Sequence, residues 1–118
     1  MWAQRAWVGT FLPPGTVPGR ELAPYSRYVN AVEGNTTFYA LPHPVTVGRW
    51  AEMAHPDFRF VFKVPRTVTH DRRLRDVGHD LRSFVQLLEP LGQRVGGLML
   101  QLPPSFSPRD LGALDTAL

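Results

Sequence analysis

The stretch that decides the fold is FRFVFKVPR, residues 58–66. From 58 to 64 it alternates large apolar side chains at even positions with Arg59, Val61 and Lys63 at odd positions. A period of two residues predicts a β-strand with one face in the core. Lys63 is the single lysine in a chain with 12 arginines. A desolvated amine, unlike a guanidinium, can act as a base or a nucleophile, so Lys63 is a candidate functional residue.

Two further stretches resemble this one. VEGNTTFY, residues 32–39, overlaps a predicted strand over 31–38, and LMLQLPP, residues 98–104, contains a predicted strand over 98–102. Their side chains at alternate positions share one face in each strand: Glu33, Asn35 and Thr37 in the first, Met99 and Gln101 in the other. Polar groups near the C-terminal ends of parallel strands are typical of sites in α/β sheets and barrels.

Helical periodicity fills the segments between these strands. Apolar spacing predicts helices over 21–29, 45–54 and 81–91, the last with Asp80 as N-cap and preceded by a long polar loop over 65–80. A fourth helix start follows at 107–110, where Ser107 is a cap and Asp110 lies three residues later. The predicted buried faces of the helices include Val47, Trp50, Phe84, Val85, Leu88, Leu111, Leu114 and Leu118. Strict alternation of helices and strands implies parallel strands.

Composition limits the class of protein. The chain has 118 residues, the size of one domain, and no cysteine, which excludes disulfides and thiolate chemistry. No apolar run approaches the roughly 20 residues of a membrane span, and the N-terminal residues lack the apolar core of a secretory signal. A cytoplasmic location is therefore the expectation. The net charge of +3 and pI of about 10.0 also permit a nucleic-acid partner.

An ordered set of motifs resembles the domain-of-unknown-function 72 family, also called YecE-like proteins. The matching residues are VEGNTTFY at 32–39, Trp50, FRF at 58–60, FKVPR at 62–66, Thr69-His70 and QLPPSF at 101–106. They run in order over about residues 25–107. Gly34 departs from the pattern, since the family more often carries an aliphatic residue there.

The resemblance implies a TIM-type (β/α) barrel. The three strands would be the second, third and fourth of eight, and a whole barrel needs about 250 residues. The expectation is therefore a single partial barrel domain over residues 1–118, truncated at both ends. Open strand edges in such a half-barrel favour self-association.

The polar residues predict a pocket at the mouth of the strands. Glu33 is the expected general base, Lys63 the electrostatic stabiliser or Schiff-base amine, and His70 a proton shuttle or anion contact. The expected substrate-binding residues are Asn35, Thr37, Tyr39, Arg66, Thr69 and Gln101. The ligand class is a small polar or anionic molecule, while the reaction class and any cofactor stay unassigned.

Three alternatives to this pocket stay open. Glu33 and Lys63 form only a structural ion pair in the first. A nucleic-acid-interacting protein uses its arginine-rich loop in the second, and the residues concerned are Arg66, Arg72, Arg73 and Arg75. The chain is a non-functional truncated fragment in the third. No metal site is assigned, because Glu33 and His70 alone make no metal-binding motif, and no membrane partner is expected.

Overall fold

A computed structural model describes residues 2–118 and places three parallel strands in one sheet. The strands are β1 (Ala31–Gly34), β2 (Arg59–Lys63) and β3 (Val95–Met99), hydrogen-bonded in the order β1-β2-β3. The helices are α1 (Leu22–Tyr28), α2 (Pro44–Met53), α3 (Gly78–Leu87) and α4 (Leu111–Ala117). The predicted alternation of helices with parallel strands is confirmed.

The central strand β2 has one face in the core and one open face. Phe60 and Phe62 are fully buried, and the Trp50 ring of α2 stacks on them at 6.4 and 5.8 Å between centroids. The opposite face carries Val61 and Lys63, which are half-buried. The prediction that residues 58–64 form a strand with one face in the core is therefore confirmed for β2.

The first strand is shorter than the sequence pattern predicts. It ends at Gly34, and Thr36–Phe38 forms a 3-10 turn. The Thr37 hydroxyl lies 2.6 Å from the Lys63 carbonyl oxygen and 3.1 Å from that of Gly34. A side-chain hydroxyl here takes the place of strand pairing, so the prediction that Asn35 and Thr37 lie on a strand face with Glu33 is wrong.

The third strand begins three residues earlier than predicted. Phe60 pairs with Val95 and Val61 with Gly97, so Gly96 is an extra residue that makes a β-bulge. A Cβ at Gly96 would lie 3.4 Å from the Arg59 Cβ, at the short limit of ordinary van der Waals contact. Gln101 lies beyond the strand rather than in it, which corrects the prediction of a strand over 98–102.

The segment between β2 and α3 is not the polar loop expected over 65–80. It contains a π-helix, Thr67–Asp71, and buries Val68, Leu74 and Val77. Helix α3 begins at Gly78, so Asp80 is inside its first turn and is not its N-cap. The Asp80 carboxylate instead accepts a 3.1 Å hydrogen bond from Arg72.

The helical faces are confirmed only in part. Trp50, Phe84 and Leu88 are buried as predicted, and Ser107 and Asp110 form the predicted capping box. Three positions are wrong, because they remain exposed on the helix surfaces: Val85 at 52%, Leu111 at 55% and Leu118 at 87%. Among residues 2–118, the helices all fall short of the length and apolar character that a bilayer crossing requires.

Candidate functional site

Lys63 stands at the C-terminal end of β2 and forms the centre of the candidate site. Its side chain is only 15% exposed, and its Nζ atom lies 4.0 Å from Glu33 Oε1. That separation exceeds hydrogen-bond length. Nζ also lies 5.5 Å from the centroid of the Phe38 ring, a cation–π distance. Within residues 2–118 the contacts of this amine are therefore long, and its charge is only partly neutralised.

Glu33 reaches the same face from the neighbouring strand. It pairs in register with Val61, two residues before Lys63, so the carboxylate and the amine point out of one side of the sheet. The Glu33 side chain is 47% exposed, and water screens its attraction for the amine. The structure thus brings together the two residues that the sequence placed at the centre of the site.

The backbone at the ends of β1 and β2 is held by Thr37. This residue is 1% exposed, and its hydroxyl contacts the last carbonyl groups of both strands. The contact fixes the 3-10 turn that carries Phe38 beneath the Lys63 amine. Thr37 therefore shapes the site from behind and presents no atom to its surface.

His70 joins the site through the same aromatic ring. Its imidazole packs edge-to-face with Phe38, with 5.1 Å between the centroids and 83° between the planes. Its Nδ1 atom lies 2.9 Å from the hydroxyl of Thr69, which is fully buried. The π-helix thus places the half-buried His70 imidazole against Phe38 and keeps the Thr69 side chain in the core.

The remaining predicted residues are exposed at the surface. Tyr39 is 74% exposed and its ring packs edge-to-face on Phe38 at 5.0 Å. Asn35, Arg66 and Gln101 are also exposed. Within residues 2–118 no hydrogen bond or ion pair joins these three to Lys63, so the structure does not gather them into one pocket with it.

Phe38 is the residue that sequence reasoning missed. Lys63, His70 and Tyr39 all contact its ring, yet a strand over 31–38 would have turned it away from Glu33. Its position inside the VEGNTTFY motif was the available signal. The 3-10 turn rotates the ring to the site, and that turn depends on a hydroxyl contact that periodicity does not show.

A second polar cluster ties the loops after β2 and β3 together. Arg73 donates to Ser105 Oγ at 2.7 Å and to Asp110 at 3.0 Å, and Arg75 lies 3.6 Å from the same carboxylate. The Ser107 amide hydrogen bond holds the pKa of Asp110 below its ordinary value, and Arg73 adds to this although burial opposes it. Three of the four arginines in the nucleic-acid hypothesis therefore have a carboxylate partner within the chain: Arg72 with Asp80, and Arg73 and Arg75 with Asp110.

Neither a metal-binding cluster nor the cavity described next is found at the Lys63 site within residues 2–118. Residues 2–118 contain no group of three or more His, Asp or Glu side chains arranged to hold a metal ion. A cavity of about 650 Å³ lies at the opposite end of the strands, between residues that include Tyr28, Asn30, His55 and Phe58. The cavity is far from the Lys63 site, because Asn30 and Phe58 lie just before the N-terminal ends of β1 and β2, whereas Lys63 is at the C-terminal end of β2.

Comparison with known sequences gives a consistent set of relatives. The family model described as "Protein of unknown function DUF72" matches residues 1–118. The UPF0759 protein YecE of Escherichia coli strain K12 is 42% identical over 113 residues, and so is that of strain O157:H7. The match covers 96% of this chain and 39% of those proteins, so the chain spans well under half the length of these curated relatives.

Solved structures of DUF72 family proteins also resemble this chain. A DUF72 family protein from Thermotoga maritima superposes with a TM-score of 0.74 at 28% identity, covering 98% of this chain and 47% of that one. A DUF72 family protein from Enterococcus faecalis gives a TM-score of 0.64 at 20% identity, covering 80% of this chain and 41% of that one.

Proposed function

We propose that this chain, which belongs to the DUF72 family of proteins of unknown function, binds a small anionic molecule at the C-terminal ends of its strands. Lys63 supplies the positive charge, and His70 and the surface residues around Phe38 complete the contact surface. The family is one of unknown function, so the proposal rests on the chemistry of the site.

One observation carries the proposal: the Lys63 side chain is largely buried, yet its amine has no hydrogen-bond partner within residues 2–118. Its side chain is 15% exposed, while its carboxylate neighbour lies at 4.0 Å and is 47% exposed. A cation with reduced access to water gains free energy from an anionic partner at hydrogen-bond distance, and Glu33 does not provide one. An incoming carboxylate or phosphate oxygen would provide that partner.

We also propose that the three strands are part of a (β/α) barrel. Their sequential parallel order supports this, and so does the placement of the aromatic core on one face only. The open face of Glu33, Val61, Lys63 and Met99 would then line a barrel interior. On this proposal residues 1–118 form one partial barrel domain, and Lys63 lies at the barrel mouth, where sites of this architecture are found.

The binding proposal is tested with inorganic phosphate as the probe, followed by two-dimensional NMR on the chain as it stands. We expect shift changes at residues near Lys63, including Phe38 and His70. Lys63→Met should weaken binding at least tenfold, because a charge-assisted hydrogen bond contributes about 1.5–3 kcal/mol. The matched control is Arg27→Met, which removes an exposed charge at the other end of the strands and should leave affinity unchanged.

Three results separate the competing hypotheses. Binding that survives Lys63→Met contradicts the proposal. Retention in Lys63→Arg assigns a purely electrostatic role, whereas loss assigns a role to the amine itself. Binding of an oligonucleotide that falls steeply with salt and tolerates Lys63→Met would instead support the arginine-rich loop.

A further inference from the structure

We infer that Thr69 holds His70 in the neutral tautomer whose proton is on Nε2, so that His70 meets an oxyanion as a hydrogen-bond donor rather than as a base. The inference deepens the proposed function and rests on it for the ligand. It changes the role expected for Thr69 from ligand contact to positioning residue, and it limits the role expected for His70.

The backbone that places Thr69 is unusual. Thr67–Asp71 is a π-helix, and the Arg72 amide donates to the Thr67 carbonyl oxygen at 3.1 Å across five residues. Such turns are rare and occur frequently at functional sites. This one points Val68 and Thr69 into the core, where they are 1% and 0% exposed, and leaves His70 half-buried at the surface.

The direction of the Thr69–His70 hydrogen bond follows from burial. A buried hydroxyl proton needs an acceptor, and within residues 2–118 the His70 Nδ1 atom at 2.9 Å is the partner of the Thr69 hydroxyl. The hydroxyl therefore donates and Nδ1 accepts. A neutral imidazole that accepts at Nδ1 carries its proton on Nε2.

The ring is held in place on its other side. Phe38 packs edge-to-face against the imidazole at 5.1 Å, and the same Phe38 ring lies 5.5 Å from the Lys63 amine. The Nε2–H group lies across the imidazole from Thr69 and has no protein partner within residues 2–118. Lys63 and His70 thus both lie against the Phe38 ring, and each can donate a hydrogen bond to an oxyanion.

The test reads the tautomer directly and needs no ligand. Long-range proton–nitrogen NMR distinguishes Nδ1–H from Nε2–H, with the His70 signals assigned through His70→Gln. We expect the Nε2–H form in the wild type and in Thr69→Ser, which keeps the hydroxyl. Thr69→Val should shift the tautomer ratio about fivefold toward Nδ1–H, the effect of losing one hydrogen bond. Thr67→Val, an exposed change in the same π-helix, is the matched control and should have no effect.

A wild-type ring protonated on Nδ1 would overturn the inference, even if Thr69→Val fails to fold. An unchanged ratio in folded Thr69→Val would also overturn it. Phosphate affinity then separates this inference from the proposed function: Thr69→Val should lower it severalfold and Thr69→Ser should preserve it. If phosphate fails to bind but the tautomer ratio shifts, the binding proposal fails and the positioning role of Thr69 stands.

Discussion

At the scale of single residues, Thr37 shows how one hydroxyl sets the end of two strands. Its oxygen contacts the carbonyl groups of Gly34 and Lys63 from a fully buried position. Thr37→Val keeps the shape and leaves those carbonyls without this donor. We expect a loss of about 1–3 kcal/mol in the free energy of unfolding, measured by urea denaturation.

The neighbouring Thr36→Val is the matched control for this prediction. Thr36 belongs to the same 3-10 turn but is exposed. Its replacement should change stability by no more than about 0.5 kcal/mol. Equal effects of the two substitutions would mean that the hydroxyl contact does not hold the turn.

Asp110 gives the stability of the chain a pH dependence. Its pKa is below the ordinary 3.8 because the Ser107 amide and then Arg73 favour the carboxylate, against the effect of burial. A lowered folded-state pKa gives stability that is fully present above that ordinary value and is lost as the pH falls through the folded-state pKa. Asp110→Asn should therefore destabilise the protein at neutral pH, and the difference from wild type should shrink below pH 3.8.

Urea unfolding of both proteins across this pH range checks the prediction. Asp115→Asn, an exposed change within α4, is the control and should track the wild type. A difference between wild type and Asp110→Asn that stays constant down to the lowest pH would show that the carboxylate charge is not what stabilises the loops.

At the scale of elements, periodicity predicted α2 and β2 well because burial there follows the local pattern. Phe60 and Phe62 face the core, and Lys63 faces the open side. The start of β3 was missed because glycine is disfavoured in strands. Pairing with β2 nevertheless places Gly96 and Gly97 in β3. The π-helix was missed because its residues read as polar loop. Contacts between distant segments determine both features.

We expect one side chain of α2, that of Trp50, to make most of this helix's contribution to the stability of the protein. Trp50 packs on Trp2, Phe60 and Phe62, with centroid distances between 5.3 and 6.4 Å. Trp50→Ala should cost about 3–5 kcal/mol, enough to unfold much of a marginal domain, and circular dichroism would measure the folded fraction.

Val45→Ala serves as the comparison in the same helix. Val45 is 56% exposed, so its truncation should change stability by no more than about 0.5 kcal/mol. A comparable loss in both variants would show that the loss on Trp50→Ala does not come from its packing on the aromatic core.

At the scale of the whole molecule, the chain is extended for its length. Its radius of gyration is 16.2 Å and its extents are 52 × 26 × 22 Å. A compact domain of this length has a radius of gyration of about 13.5 Å. The outer edges of β1 and β3 are unpaired in a sheet of order β1-β2-β3, and exposed strand edges favour association.

We expect residues 1–118 to self-associate in a concentration-dependent way. Leu98 lies on the edge strand and is 38% exposed, so Leu98→Lys should reduce association by placing a charge there. Sedimentation velocity at two concentrations measures the effect. Val45→Lys alters an exposed apolar residue on a helix and should not reduce association. A monomer at both concentrations that unfolds cooperatively at high temperature would contradict the expectation.

The loop around Arg73 can reach its final conformation only late in the synthesis of these residues. Arg73, Leu74 and Asp76 adopt positive φ angles of 51°, 65° and 52°, which are unfavourable for residues other than glycine. The Asp110 carboxylate that holds Arg73 lies 37 residues later in the chain. At a translation rate of about 5–20 residues per second, about 2–7 s separate the two residues. During synthesis the loop around Arg73 therefore remains without its Asp110 partner for this time.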